Sequence, residues 1–137
     1  MRRIVMDTNT LVSAIGWEGP PHRLLRACIQ GRLELRLSPA IVDELTEVLS
    51  RPKLRVVAAH PDLRAVLSWL CDPARLVIPG VMLDVVGEDP DDNRVIGCAV
   101  ASGAEAVVTG DDHLLRLGTY KGIAFLIPHE ACAQWGF

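Results

Sequence analysis

Two short apolar runs that stop at aspartates constrain the fold of this chain more than any other feature. Arg3-Ile4-Val5-Met6 ends at Asp7, and Ala106-Val107-Val108-Thr109 ends at Gly110-Asp111. Both runs are too short for a helix, so each reads as a strand, the first central in a sheet and the second buried. The stretches between them carry helical periodicity. Strands that alternate with helices imply a parallel sheet covered on both faces, an α/β architecture. In such sheets a site forms beyond the carboxyl ends of the strands, where Asp7 and Asp111 stand.

The remaining elements follow from spacing and punctuation. Leu11, Val12 and Ile15 predict a helix over Thr8–Ile15, broken by the Gly16–Pro21 stretch. A second helix runs from Pro21 to Ile29 and stops at Gly31. Leu33–Leu37 alternates apolar and charged residues as a strand does. Ser38-Pro39 is an N-cap followed by proline at the first helical position, opening a helix to about Ser50. Its apolar stripe is Ile41, Leu45, Val48 and Leu49; Glu44 lies on the border, and Asp43 and Glu47 fall well away. A helix follows over Asp62–Leu70, then a strand over Arg75–Ile78 closed by Pro79-Gly80. Val81–Gly87 is a short strand or an extended loop. Asp89–Asp92 is a turn into a helix over Asn93–Ser102. Ala124–Ile127 is the last strand, and Pro128 opens a terminal helix.

Four acids thus fall at element boundaries or on a helix border: Asp7, Glu44, Asp92 and Asp111. Each has a plain alternative. Asp7, Asp92 and Asp111 could be N-caps, and Glu44 a surface acid. Together they suggest another role. Clustered carboxylates with no Lys or Arg within their motifs are costly unless a divalent cation neutralises them. Mg²⁺ and Mn²⁺ prefer such hard oxygen ligands. They lower the pKa of a bound water, orient it and stabilise charge on the oxygens of a phosphate ester. Metal-dependent phosphodiester cleavage is the chemistry expected. No Ser-His-Asp arrangement, P-loop or G-x-G-x-x-G motif offers another route.

Composition narrows the setting. A length of 137 residues with half of them hydrophobic is enough for one domain with a buried core. No apolar run approaches the roughly 18–20 residues of a membrane helix. Asp7 arrives too early for a signal-peptide core, so a cytoplasmic protein is expected. The four cysteines have no metal spacing; Cys28, Cys98 and Cys132 read as buried thiols and Cys71 as a helix end. His22, His60 and His129 read as surface or loop residues. The net charge of −3 excludes a generally basic nucleic-acid coat protein. Arg23, Arg26, Arg32 and Arg36, and then Arg51, Lys53 and Arg55, are local groups that suit either a phosphate-contacting patch or a solvated face.

The ordered motifs resemble the PIN-domain family over nearly the whole length. They are Asp7-Thr8-Asn9-Thr10-Leu11-Val12-Ser13-Ala14, Ser38 through Glu44-Leu45 with Val48-Leu49 and Arg51-Pro52-Lys53-Leu54, Asp89-Pro90-Asp91-Asp92-Asn93 with Ala99, and Val107 through Leu115. The chain is most similar to the branch of toxins from bacterial and archaeal toxin–antitoxin pairs, akin to VapC-type ribonucleases. This resemblance implies a three-layer α/β/α fold around a parallel sheet and Mg²⁺- or Mn²⁺-dependent cleavage of single-stranded RNA. It makes Asp7, Glu44, Asp92 and Asp111 the metal-binding acids, with Asp89 and Asp91 as alternatives to Asp92. Asn9, Thr109 and Asp112 become supporting groups, with Asn9 and Thr109 orienting Asp7 and the metal water. Relatives of this branch often carry an acid two residues after the Asp of Thr-Gly-Asp; His113 stands there in this chain. A cognate antitoxin and a homodimer are also implied, with Trp17, Leu24 and Leu25 as candidate interface residues.

Three other readings compete. A phosphatase of the haloacid dehalogenase type needs a second Asp where Asn9 stands. A receiver-like domain needs a Lys ending a late strand, and Lys121 precedes the last one. A degenerate PIN fold would bind RNA or a partner without cutting. Asp7→Asn is expected to abolish cleavage and leave the fold intact, and easing carboxylate repulsion would favour the metal-free variant.

Overall fold

The structure, a computed structural model, describes residues 1–79 and 90–137. Its elements are β1 (Arg3–Met6), α1 (Thr8–Gly16), α2 (Pro20–Ile29), β2 (Glu34–Leu35), α3 (Pro39–Leu49), α4 (Arg55–Ala58), α5 (Leu63–Leu70), α6 (Pro90–Ser102), β3 (Ala106–Val108), α7 (Asp112–Leu115), β4 (Thr119–Tyr120), β5 (Ile123–Leu126) and α8 (Pro128–Trp135). The sheet order is β2-β1-β3-β5-β4, parallel except for the β4–β5 pair. Helices cover this central sheet in a three-layer α/β/α fold. No helix among the described residues is long and apolar enough to cross a membrane.

The apolar runs behave as two-sided burial requires. Ile4, Val5, Met6, Val107 and Val108 have no exposed surface. At about 25 cal/mol per Å², sealing such side chains from both faces contributes roughly 1.5–3 kcal/mol each. The register Met6↔Val108↔Leu126 brings three strand ends level. That alignment sets Asp7, one residue past β1, beside Thr109, one residue past β3. β1 is interior but second from the edge; β3 holds the centre.

Several boundaries differ from expectation. The Leu33–Leu37 strand shrinks to Glu34–Leu35, and Arg75–Ile78 contributes only an isolated parallel bridge from Leu76 to Leu37. Arg75 is held instead in a 3-10 turn at Pro73–Arg75, where its Nε donates to the Trp69 carbonyl at 2.7 Å and its guanidinium lies 3.5 Å from the Trp69 ring centroid. β4 was not anticipated. Its hairpin turns on Lys121 and Gly122, at φ 49° and 79°, the left-handed pair that a two-residue hairpin turn needs. α6 begins at Pro90, three residues before the expected helix start, with proline suited to a first helical turn. Asp92 therefore lies inside the first turn and does not cap from outside. The expectations for Gly80–Gly87 lie outside the described residues.

Leu24 and Leu25 are 0% and 3% exposed, so they belong to this chain's own core and offer no interface. Trp17 is exposed. Cys28, Cys98 and Cys132 are buried and Cys71 caps α5 at its C-terminus, as expected. His22 sits half-buried in α2 and its Nδ1 lies 2.9 Å from the Ala14 carbonyl.

Candidate metal and nuclease site

Asp7 is 8% exposed, and each of its carboxylate oxygens is engaged. Oδ1 accepts from the Thr10 N–H at 2.9 Å, capping α1. Oδ2 accepts from the Thr109 hydroxyl, whose own oxygen accepts from the Asp111 N–H at 3.0 Å. Thr109 is wholly buried. One side chain therefore ties the end of β1 to the turn after β3. Each carboxylate oxygen still has lone-pair capacity for a further partner.

Asp111 follows the same pattern. Its Oδ1 accepts from the His113 N–H at 2.8 Å and the Leu114 N–H at 3.3 Å, which caps α7. Asp92 is 5% exposed in the first turn of α6. Its Oδ2 lies 3.7 Å from Nδ1 of His113. Glu44 is half-buried on α3, between exposed Asp43 and the exposed Glu47, which pairs with Arg51 at 2.8 Å. The helical-wheel argument that separated Glu44 from its acidic neighbours agrees with this placement.

All four acids line one small cavity of about 130 Å³, together with Thr8, Asn9 and Val95. A second, open cavity of about 360 Å³ adjoins it and shares Asp7, Asn9 and Asp111; Thr10, Ser13, Pro21, Gly110 and Pro128 complete its lining. Two of these acids, Asp92 and Asp111, form a group with His113 in which each residue offers one ligand atom within 4.8 Å of the others. Asp112 is exposed at the start of α7 and is not among the lining residues. Asp89 and the side chain of Asp91 lie outside the described residues.

The donors suit a divalent cation. Two ligands about 2.1 Å from one octahedral ion stand about 3.0 Å apart at a right angle and about 4.2 Å apart when opposed. The 3.7 Å between Asp92 and His113 lies between those two separations. Thr8, only 4% exposed, lines the same cavity with a covered hydroxyl oxygen that makes no hydrogen bond among the described residues. A buried orphan hydroxyl is uncommon in a finished core and is at home where a hydrated ligand completes the site. His113 is the member that sequence reasoning did not assign. The only signal was its place two residues after Asp111.

The basic groups divide. Arg36 pairs with Glu34, and Arg51 with Glu47. Arg23, Arg26, Arg32, Lys53 and Arg55 are exposed.

A family model described as PIN domain matches residues 3–113. No curated protein and no solved structure matches the chain.

Proposed function

Because the chain belongs to the PIN-domain family, whose members are generally nucleases, we propose that it is a metal-dependent endoribonuclease and the toxin of a VapC-like toxin–antitoxin pair. The observation that carries this reading is the convergence of Asp7, Glu44, Asp92 and Asp111 on one cavity. Asp92 and Asp111 would hold Mg²⁺ or Mn²⁺, with Asp7 and Glu44 completing the acidic wall. When bound, the ion supplies an activated water and neutralises charge on the phosphate oxygens.

The chain's own residues do the rest. The Thr109 hydroxyl fixes Asp7 Oδ2, and the Thr10 N–H fixes Oδ1, so this carboxylate cannot swing away. The two backbone donors on Asp111 Oδ1 hold the second acid in the same way. Fixed ligands cost no reorganisation as charge develops on the substrate. Asn9, exposed in the first turn of α1, lines both cavities and can meet the strand that crosses them. The larger cavity gives a flanking nucleotide room beside the acids. Exposed Arg26, Lys53 and Arg55 suit phosphates further along the strand. A cytoplasmic homodimer held in check by an antitoxin completes the proposal, in keeping with the toxin branch that the motifs resemble.

Cleavage of labelled single-stranded and structured RNAs tests it, with Mn²⁺ or Mg²⁺, an EDTA control and Asp7→Asn run alongside. Metal-dependent cutting by wild type and none by Asp7→Asn is the expected result. Equal cutting by both would remove Asp7 from the site, and cutting that survives EDTA would remove the metal.

A further inference from the structure

We propose that His113 supplies a nitrogen ligand to the ion held by Asp92 and Asp111, and that this mixed donor set selects Mn²⁺ over Mg²⁺. The inference rests on the metal-nuclease reading above. It concerns which side chains touch the ion and which ion they retain.

Several observations carry it. The ligand atoms of Asp92, Asp111 and His113 lie within 4.8 Å of one another, the compact group among the described residues. At 3.7 Å, His113 Nδ1 and Asp92 Oδ2 are too far apart for a hydrogen bond and close enough to reach one ion between them. The backbone also fixes where the imidazole starts. The His113 N–H is bonded to Asp111 Oδ1 at 2.8 Å, so the two residues occupy one locked turn. The orphan Thr8 hydroxyl on the same cavity points independently to a hydrated ligand. His113 is 42% exposed through its side chain while Asp92 is 8%, so the ring is reached by solvent and the acid is covered.

Selectivity follows from donor chemistry. Mg²⁺ is small, demands oxygen ligands in octahedral geometry and gives up its waters reluctantly. An imidazole therefore adds little to its retention. Mn²⁺ shares the preference for carboxylate and water oxygens but, as the first member of the Irving–Williams series, gains more from a nitrogen donor than Mg²⁺ does. Compared with a carboxylate at this position, a histidine brings one negative charge fewer to the site. That loss weakens both ions, but the nitrogen compensates only for Mn²⁺.

The test reads coordination directly. Wild-type protein loaded with Mn²⁺ is measured by pulsed electron paramagnetic resonance for nitrogen-14 modulation from a bound imidazole. Calorimetric titration of Mn²⁺ and Mg²⁺ into wild type, His113→Gln and Asp111→Asn accompanies it, with circular dichroism confirming the fold of each variant. The expected result is nitrogen modulation in wild type that vanishes in His113→Gln. That variant should lose about tenfold or more in Mn²⁺ affinity, the scale on which partners of a metal site act, and change little toward Mg²⁺. Mn²⁺ binding that Asp111→Asn abolishes, but that shows no nitrogen signal and is unaltered in His113→Gln, would mean an all-oxygen site. It would overturn this inference and leave the metal reading standing. A nitrogen signal that persists in His113→Gln would assign the ligand elsewhere and also overturn it. No Mn²⁺ binding that depends on Asp111 would overturn both.

Discussion

Thr109→Val isolates the bond that joins the two strand ends. Thr109 is fully buried, donates to Asp7 Oδ2 and accepts from the Asp111 N–H. Valine keeps the branched shape and deletes both hydrogen bonds. A hydrogen bond to a charged group contributes about 1.5–3 kcal/mol, and an abandoned backbone N–H costs about another 1 kcal/mol. Burying a methyl in place of the hydroxyl returns about 1 kcal/mol. The net expectation is a loss of about 1.5–3 kcal/mol, which for a chain of this size lowers Tm by roughly 5–10 °C. Cleavage should fall about 10–100-fold, because Asp7 loses the group that aims it. Thr109→Ser keeps the hydroxyl and should recover most of the activity while still losing about 1 kcal/mol for the missing methyl. Urea unfolding and RNA cleavage of the two variants provide the assay. If Thr109→Val unfolds within 0.5 kcal/mol of wild type and cuts normally, or if serine fails as valine does, the hydroxyl does not position Asp7.

Three further outcomes are expected. Mn²⁺ at about 100 times its dissociation constant should stabilise the protein by about 2.7 kcal/mol, and EDTA should reverse the gain in a thermal melt. Glu34 is held below the usual carboxylate range chiefly by its hydrogen bond from Arg3, with Arg36 adding to it. Its contribution is therefore present above the ordinary glutamate pKa and lost as pH falls through the lowered folded value. Glu34→Gln should cost about 0.5–1 kcal/mol near neutrality, with the difference closing in acid when both proteins are unfolded in urea across pH. Burial pushes the Cys28 and Cys98 thiols up to about 12 and raises Cys132, while Cys71 is exposed. A thiol reagent should thus titrate Cys71 alone in the native protein and all four after denaturation; reaction of a second thiol in the fold would contradict the burial.

What could be read from the chain depended on how local each cause was. Ile4–Met6 and Ala106–Val108 were legible as strands because burial on both faces leaves no polar position. Ser38-Pro39 was legible as a helix start because its chemistry is complete within four residues, with Ser38 Oγ accepting from the Ile41 N–H. Glu44 could be picked from three acids by angle alone. β4 could not be read, since two residues carry no period and its hairpin is set by the backbone at Lys121 and Gly122. Arg75–Ile78 looked like a strand because it is an apolar run, and Leu76 and Val77 do pack, but Ile78 is exposed and the Trp69–Arg75 contact holds the start of the segment in a turn. His113 was hidden because its partner Asp92 lies on another helix, and only the tertiary fold brings them together. Leu24 and Leu25 show the converse: an apolar pair cannot reveal from sequence whether its own core or another chain covers it.

Cap and ligand had stood as rival explanations for the aspartates, and the geometry removes the rivalry. Asp7 caps α1 and Asp111 caps α7, each while facing the acidic cavity; Asp92 occupies the first turn of α6. The N–H groups at helix starts favour a nearby anion by about 0.3–1 kcal/mol, so like charges can be held together before any cation arrives. This changes the expected sign for Asp7→Asn. Repulsion alone would make the metal-free variant more stable. Asparagine keeps an oxygen for the Thr10 N–H, but it turns an amide toward the Thr109 hydroxyl, which already accepts from Asp111. The threonine proton is then left without its charged acceptor, at a cost of about 1.5–3 kcal/mol. Asp7→Asn should therefore be less stable than wild type in EDTA, by about 1–2 kcal/mol once eased repulsion is subtracted. Unfolding in urea at neutral pH measures it. A metal-free variant more stable than wild type would show that carboxylate repulsion outweighs the Thr109 bond.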